Sequence, residues 1–303
     1  MSMVMKMILR YTVKPEDMGQ TVKHILKNEL GLSERLIKKL KYSGKILCNT
    51  VSVRVIELVK AGDIIEADID FIEDAPEIIP EDIDLDIIYE DDCLIAVNKK
   101  PYIVVHPTCS HRSGTIANAI MHHMLKKGEF KKIRPVSRLD RDTSGVIIFA
   151  KNEFVQESLI RQMGNNSFKK EYVGIVHGII NTAAGTIDLP IERKPGSIML
   201  RHTSPTGDRS VTHYKVLEHL NNSTYLKFDL ETGRTHQIRV HCQAIGHPLI
   251  GDTLYSDIKT GLIGRQALHS YKVSFTHPFH NSKMDFLAQI PDDINSLIKI
   301  LRQ

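Results

Sequence analysis

The sequence predicts an α+β protein in which a larger domain, built on a mixed, largely antiparallel β-sheet, follows a small α/β domain. Its 303 residues suffice for about two domains of roughly 150 residues each. An acidic, proline-containing stretch after residue 73 marks the boundary between them. Beyond it, short β-branched strands alternate irregularly with helices, unlike the regular βαβα order of a doubly wound fold.

Composition limits the class of protein. Apolar residues make up 42% and charged residues 25%, as in an ordinary globular protein with a real core. No apolar run approaches a membrane span, and the first ten residues lack the features of a signal peptide, so we expect a cytoplasmic protein. The four cysteines include no Cys-x-x-Cys pair and predict neither disulfides nor a zinc knuckle.

The small domain, predicted over residues 13–73, should begin with two helices. The first covers residues 21–30. Ser33 can cap the second, whose apolar residues fall on one face. The opposite face is basic, and its cations are Arg35, Lys38, Lys39 and Lys41.

A hairpin and a closing strand should complete this domain. Two short apolar runs flank Asn49-Thr50, which is typical of a tight hairpin turn, and a second turn is expected at Gly62-Asp63. With the two helices, these features resemble the S4 RNA-binding domain. The resemblance implies that Arg35, Lys38, Lys39 and Lys41 contact RNA; the alternative is that this charge run is only a solvated helix face.

The domain boundary is strongly acidic. Residues 73–92 contain ten acidic side chains, two prolines and no lysine or arginine, so residues 74–84 should form an extended, solvated linker. Without those ten negative charges, the overall charge of +4 becomes +14 on the other 283 residues. The flanking domains are therefore basic, as expected of proteins that meet phosphate backbones.

The larger domain, residues 85–303, should open with a hairpin formed by residues 85–89 and 94–98. The remaining predicted strands cover residues 146–150, 172–176, 211–217, 224–230 and 271–275. Helices are predicted over residues 154–163 and 236–244. This irregular order favours the mixed sheet.

Two polar clusters stand at strand ends, where scaffolds commonly hold reactive groups. The first, residues 137–145, precedes an apolar strand and includes Asp140; the second covers residues 231–241. A surface loop can carry such charges without any function. If Asp140 is buried, however, it needs a cationic partner to remain ionised, and Arg234 could supply one.

Several long motifs resemble the RluA family of pseudouridine synthases and occur in the family's order. They are RLDRDTSG at 138–145, KEYVG at 170–174, GRTHQIRVH at 233–241, GHPLIGDTLY at 246–255 and ALH at 267–269. The S4-like segment is similar to that of the large-ribosomal-RNA branch. One departure is Ser137, where the family usually has histidine. The resemblance implies a catalytic domain of the pseudouridine synthase type.

This resemblance implies an isomerisation that needs no cofactor. The bond from ribose C1′ to uracil N1 breaks, the base rotates, C5 joins C1′ and the C5 proton leaves. A carboxylate beside C1′ can stabilise or capture the positive charge that develops there, as in retaining glycosidases. By resemblance this carboxylate is Asp140. Whether it bonds to C1′ or removes the C2′ proton to give a glycal stays open.

The other site residues are likewise implied by the family motifs. Arg234 matches the counter-ion of Asp140, and Tyr172 matches the tyrosine that lies against uracil and helps to remove the C5 proton. Leu268 matches an apolar pocket residue. The uridine must leave its stack, and Arg138 corresponds to the arginine that fills the vacated space.

Two alternatives to this function remain: a non-catalytic RNA-binding factor, and a carboxylate-based glycosidase or nucleoside hydrolase. The spacing of His236 and His241 places them on different helix faces, so no metal site is expected. The S4-like segment favours 23S ribosomal RNA over transfer RNA as the substrate. Family members with one such domain usually act as monomers, and the same is expected here.

Overall fold

Four antiparallel strands and two helices form the first unit. The structure, a computed structural model, describes residues 7–70, 78–109, 111–129 and 131–303. The strands are β1 (Ile8–Thr12), β2 (Ile46–Cys48), β3 (Val51–Ser52) and β4 (Ile64–Asp68), and the helices are α1 (Val22–Asn28) and α2 (Glu34–Tyr42). In the sheet the strands lie in the order β1-β4-β2-β3. A short 3₁₀ turn covers Pro15–Asp17.

Local sequence signals explain these elements. The Ser33 hydroxyl accepts a hydrogen bond from the backbone N–H of Leu36 at 3.1 Å and so caps α2. Asn49 and Thr50 adopt φ angles of 50° and 70°, the left-handed region that a two-residue hairpin turn requires. The unit also contains β1, which pairs with β4 along its whole length and precedes the predicted boundary at residue 13.

The second unit contains the remaining elements. Its strands are β5 (Ile87–Glu90), β6 (Leu94–Lys99), β7 (Arg134–Pro135), β8 (Ser144–Ala150), β9 (Lys169–His177), β10 (Ala184–Asp188), β11 (Ile191–Arg193), β12 (Arg201–Thr203), β13 (Val211–Leu220), β14 (Ser223–Leu230), β15 (Leu268–Thr276) and β16 (Lys283–Leu287). Its helices are α3 (Ile116–Lys126), α4 (Glu153–Gly164), α5 (Gln237–Ala244) and α6 (Asp292–Leu301).

A ten-stranded sheet runs through this unit in the order β10-β13-β14-β9-β15-β8-β6-β5, with β16 on β15 and β7 on β8. Every pairing in it is antiparallel except that of β8 with β15. The predicted mixed, largely antiparallel α+β class is therefore confirmed. Within the described part of the chain, no helix combines the length and apolarity needed to cross a membrane.

The sheet separates two apolar clusters. One contains Ile120 of α3 and Ile238 of α5 together with Phe228 of β14. The other joins Ile148 of β8 to Leu36 of α2, so the two units share one continuous apolar core. Burial of this shared surface stabilises their association.

Polar contacts reinforce the junction. Glu153, in the first turn of α4, pairs with Arg35 Nε at 2.9 Å and with Lys39 Nζ. The Ser33 hydroxyl donates to Glu157 Oε1 at 2.8 Å. Two of the four cations predicted to bind RNA thus contact the second unit of their own chain, whereas Lys38 and Lys41 are exposed to solvent.

The acidic linker is more constrained than predicted. Part of it, residues 74–77, lies outside the described residues. Residues 78–84 are extended but contact the second unit: Asn118 of α3 donates to the Ile79 carbonyl at 2.7 Å, and Lys100 pairs with Asp84 at 2.8 Å. This segment is therefore held by hydrogen bonds and an ion pair instead of being freely solvated, because basic and amide groups of the second unit lie beside it.

Candidate active site

Asp140 lies in the loop that precedes β8, and its side chain is 25% exposed. Two buried basic side chains hold the carbonyl groups that follow it. Lys99 Nζ donates to the Arg141 carbonyl at 2.8 Å, and Arg265 donates to the Asp142 carbonyl at 3.1 Å. These contacts come from β6 and from the segment before β15, so the position of Asp140 is fixed by distant parts of the chain.

Arg265 connects the loop to two further elements. It forms a bidentate ion pair with Asp293 at the start of α6, at 2.7 and 2.9 Å, and it donates to the Leu268 carbonyl at 3.2 Å. Lys99 also donates to the carbonyls of Lys100 and Ile103, each at 3.0 Å. Neither residue was identified from the sequence.

Arg239 of α5 is the guanidinium partner of Asp140, at 3.2 Å from Oδ2. Its other nitrogens make two hydrogen bonds of 2.7 Å to Asp252. Burial alone would lower the pKa of Arg239, but the hydrogen bonds and charges of Asp252 and Asp140 raise it above its ordinary value. The guanidinium is therefore a fixed positive charge beside Asp140.

The predicted pairing of Arg234 with Asp140 is wrong. Arg234 pairs with Asp208 at 3.3 Å and donates to the Arg209 carbonyl at 3.2 Å, at the outer edge of the cleft. It precedes α5, whereas Arg239 lies on the buried first turns of that helix and points inward.

Tyr172 and Leu268, both predicted site residues, lie beside Asp140. Both side chains belong to one apolar cluster, and both line a small hollow, about 60 Å³ in volume, that Asp140 also lines. Burial, together with the charge of Asp140, raises the pKa of Tyr172, whereas its hydrogen bond with Ser270 lowers it. The phenol therefore stays protonated at neutral pH and can donate or relay a proton.

His236 and Tyr255 complete the surroundings of Asp140. His236 adopts a left-handed φ of 59° just before α5, and its Nδ1 lies 2.8 Å from the Tyr255 hydroxyl. Its Nε2 is 3.9 Å from Asp140 Oδ1. Burial lowers the pKa of His236, and the negative charge of Asp140 only partly opposes this effect.

A larger cleft of about 840 Å³ leads to Asp140, Tyr172, Arg138 and Arg234. Its volume falls within the range of roughly 300–1,000 Å³ that is usual for ligand sites. A neighbouring cleft of about 490 Å³ is lined by four arginines, which are Arg138, Arg193, Arg201 and Arg234. Glu192 and Asp208 line the same cleft, so its lining keeps a net positive charge, which suits an anionic ligand.

The described residues include one group whose atoms are close enough to share a metal ion: Asp91, Cys93 and His277. His277 Nδ1, however, accepts backbone hydrogen bonds from Phe279 and His280 at 3.2 and 3.0 Å. The proton is thus on Nε2, which donates to Asp91 at 3.0 Å. This arrangement fits a structural hydrogen-bond network better than a set of metal ligands.

The predicted non-ligand histidines have ordinary partners. His236 contacts Tyr255, and His241 lies 2.9 Å from both the Thr212 hydroxyl and the Leu189 carbonyl. Ser137, which stands where the resembled family usually has histidine, lines the larger cleft.

Comparisons with known proteins agree with this geometry. Residues 93–244 match the family model described as RNA pseudouridylate synthase. The chain is 42% identical to the uncharacterized RNA pseudouridine synthase YjbO of Bacillus subtilis, over 89% of this chain and 96% of that protein. It is 35% identical to ribosomal large subunit pseudouridine synthase D of Vibrio parahaemolyticus, over 99% and 97% of the two chains.

A solved structure shows the same fold. The human RNA pseudouridylate synthase domain containing 4 aligns with a TM-score of 0.58 and 20% identity, over 71% of this chain and 92% of that one. Together with the sequence relatives, the family model identifies the chain. The protein belongs to the RluA family and is an RNA pseudouridine synthase, an isomerase.

Proposed function

We propose that this enzyme isomerises uridine in large-subunit ribosomal RNA and that Asp140 carries the reaction. The observation that supports the role most directly is the Asp140–Arg239 pair beside Tyr172 and Leu268, at the base of a cleft. Relatives named ribosomal large subunit pseudouridine synthase D support the substrate class. Transfer RNA is a second candidate substrate.

In this proposal, Asp140 either bonds to C1′ or removes the C2′ proton once the uridine has entered the cleft. Arg239, not Arg234, compensates its charge. Tyr172 lies against the uracil ring and assists removal of the C5 proton, while Leu268 packs against the base. Arg138 at the mouth of the cleft occupies the space that the uridine leaves.

RNA binding is proposed to use two basic surfaces. The arginine-lined cleft beside Asp140 can bind phosphates near the target, where released counterions favour association. On the S4-like unit, which would span residues 13–73 with β1 added, exposed Lys38 and Lys41 are the better placed cations of α2, since Arg35 and Lys39 pair with Glu153.

A ribosomal RNA substrate supports a cytoplasmic site of action. We further propose that the enzyme acts as a monomer, as is usual for family members with one S4-like domain. Residues 85–303 would then contain all the catalytic side chains.

Tritium release from RNA labelled at uridine C5 tests the function. We expect wild-type protein to release tritium from 23S RNA, and Asp140→Asn to lose at least about 10³-fold in rate, because the reacting carboxylate is gone. RNA affinity should change little, since phosphate contacts set it.

Each alternative has its own outcome. RNA binding without tritium release above that of the Asp140→Asn control would indicate a non-catalytic binding factor. Free uracil among the products would indicate a hydrolase. Release from transfer RNA alone would contradict the ribosomal substrate but not the reaction.

A further inference from the structure

Lys170 is a buried cation on the same strand as Tyr172. Its residue exposure is only 9%. Side chains alternate across a strand, so Lys170 and Tyr172 point to one face of β9, while Lys169 and Glu171 point to the other. Glu171 pairs with Lys227 at 3.2 Å on that opposite face.

Lys170 has no hydrogen-bond or ion-pair partner within the described residues. Other buried lysines of this protein do: Lys99 donates to three carbonyl groups, and Lys151 pairs with Glu90 and Glu129 at 2.9 Å each. Burial without a compensating charge lowers the pKa of Lys170 to about 8. A largely buried ammonium group that has no protein partner and faces a cleft favours an anionic ligand there.

The ammonium lies at the wall of the larger cleft. Lys170 lines that cleft together with Asp140, Tyr172 and Gly233. A methyl group added to Gly233 would lie only 2.9 Å from Lys170 Nζ, so the ammonium is close to the backbone of the loop before α5. It thus occupies the space between β9 and that loop, where a substrate can reach it.

We propose that Lys170 binds a backbone phosphate of the RNA at the target nucleotide. The inference rests on the proposed function, which puts uracil against Tyr172. Residues two apart on a strand are separated by about 6–7 Å, comparable to the span from a nucleobase to the phosphate of its nucleotide. A phosphate is the anion that the substrate supplies in this position, and it provides the missing counter-charge of the ammonium.

Replacement of Lys170 tests this contact. Lys170→Met should weaken binding to 23S RNA about tenfold at moderate salt and reduce the salt dependence of affinity by about one phosphate contact. Once RNA saturates the enzyme, kcat should stay within about threefold, so the defect appears in KM. Lys170→Arg, which keeps the charge, should recover most of the affinity.

Lys169→Met is the matched control, because it removes the same charge from the neighbouring, outward-facing position. We expect it to leave affinity and salt slope close to those of the wild type. Equal effects of Lys169→Met and Lys170→Met would overturn the proposal, as would an unchanged salt slope in Lys170→Met. A loss of kcat at unchanged KM would also overturn it, since Lys170 would then act on the base and not on a phosphate.

Measurements of RNA binding test the phosphate contact, and measurements of turnover test the proposed function, so the two proposals can fail independently. The affinity series can be measured in the Asp140→Asn background, where turnover is expected to be negligible. If wild-type protein releases no tritium, the function fails whatever Lys170 does. If tritium release is normal and the Lys170 variants bind normally, only the phosphate contact fails.

Discussion

The charged side chains at the two ends of strand β8 differ in how completely they are paired within the protein. All seven residues of the strand are buried. Beyond its last residue, Lys151 pairs with Glu90 and Glu129, and Glu153 pairs with two cations of α2. Before its first residue, Asp140 accepts one hydrogen bond from Arg239 and remains partly exposed to a cleft.

The fully paired charges serve stability, whereas the partly paired Asp140 can serve the reaction. Some buried charges have only protein residues as partners, and these pairs hold elements together. Removal of one partner leaves the other charge buried and unpaired. A carboxylate that is fixed in place but not fully hydrogen-bonded keeps oxygen lone pairs for a substrate. The same strand therefore supports a structural network at one end and a candidate reaction centre at the other.

Arg239→Gln should have the largest effect among the following changes. Loss of the charge beside Asp140 should reduce tritium release by at least about 10²-fold. It also leaves Asp252 buried without its partner, which should cost about 3–5 kcal/mol of unfolding free energy in urea.

Arg234→Gln is the control for that variant. Because Arg234 pairs with exposed Asp208, the change should cost less than about tenfold in rate and little stability. Equal losses in the two variants would contradict the assignment of Arg239 as the partner of Asp140. Arg239→Lys offers a variant with retained charge if the glutamine form does not fold.

Glu153→Gln should affect the other end of β8. It removes the carboxylate shared by Arg35 and Lys39 and should lower the free energy of unfolding by about 1–3 kcal/mol. Limited proteolysis of the first unit should become faster, while saturated turnover stays within about twofold. Glu16→Gln, at an exposed ion pair with Lys14, should change neither property. A loss of turnover without a loss of stability would contradict a purely structural role for the charges at this end of β8.

The smallest effect should be a change in acid sensitivity. Burial raises the pKa of Glu90, but Lys127, Lys151 and His123 outweigh it and lower the pKa from 4.5 to about 2. Its stabilising contribution is therefore complete above pH 4.5 and disappears as the pH falls toward 2. Urea unfolding of Glu90→Gln should show lower stability at neutral pH and a shallower decline across that window. An equally steep decline would exclude Glu90 as a cause.

The sequence predicted the elements better than their contacts. Caps and turns such as Ser33 and Asn49-Thr50 depend on neighbouring residues, so both could be read locally. The order of strands in the sheet depends on pairings between distant segments. Helices α3 and α6 and strands β1, β7, β10, β11, β12 and β16 were not predicted, and residues 8–12, which form β1, were left outside the first unit.

In the site, too, the sequence predicted individual residues better than the contacts between them. The motifs predicted Asp140, Tyr172 and Leu268 as site residues. They did not distinguish Arg234 from Arg239, because both arginines occur in one motif and only the direction of α5 decides which one faces inward. Lys99 and Arg265 act on backbone carbonyls, a target that carries no sequence signature.

The shared guanidinium has a consequence for movement during the reaction. Since Asp252 takes two of its donors at 2.7 Å, Arg239 cannot swing toward a substrate without breaking a buried pair, and Asp140 is fixed with it. Asp140 and Arg239 thus form a fixed pair in the site. We therefore expect the detached base to make the rotation that exchanges N1 for C5, while Asp140 and Arg239 keep their positions.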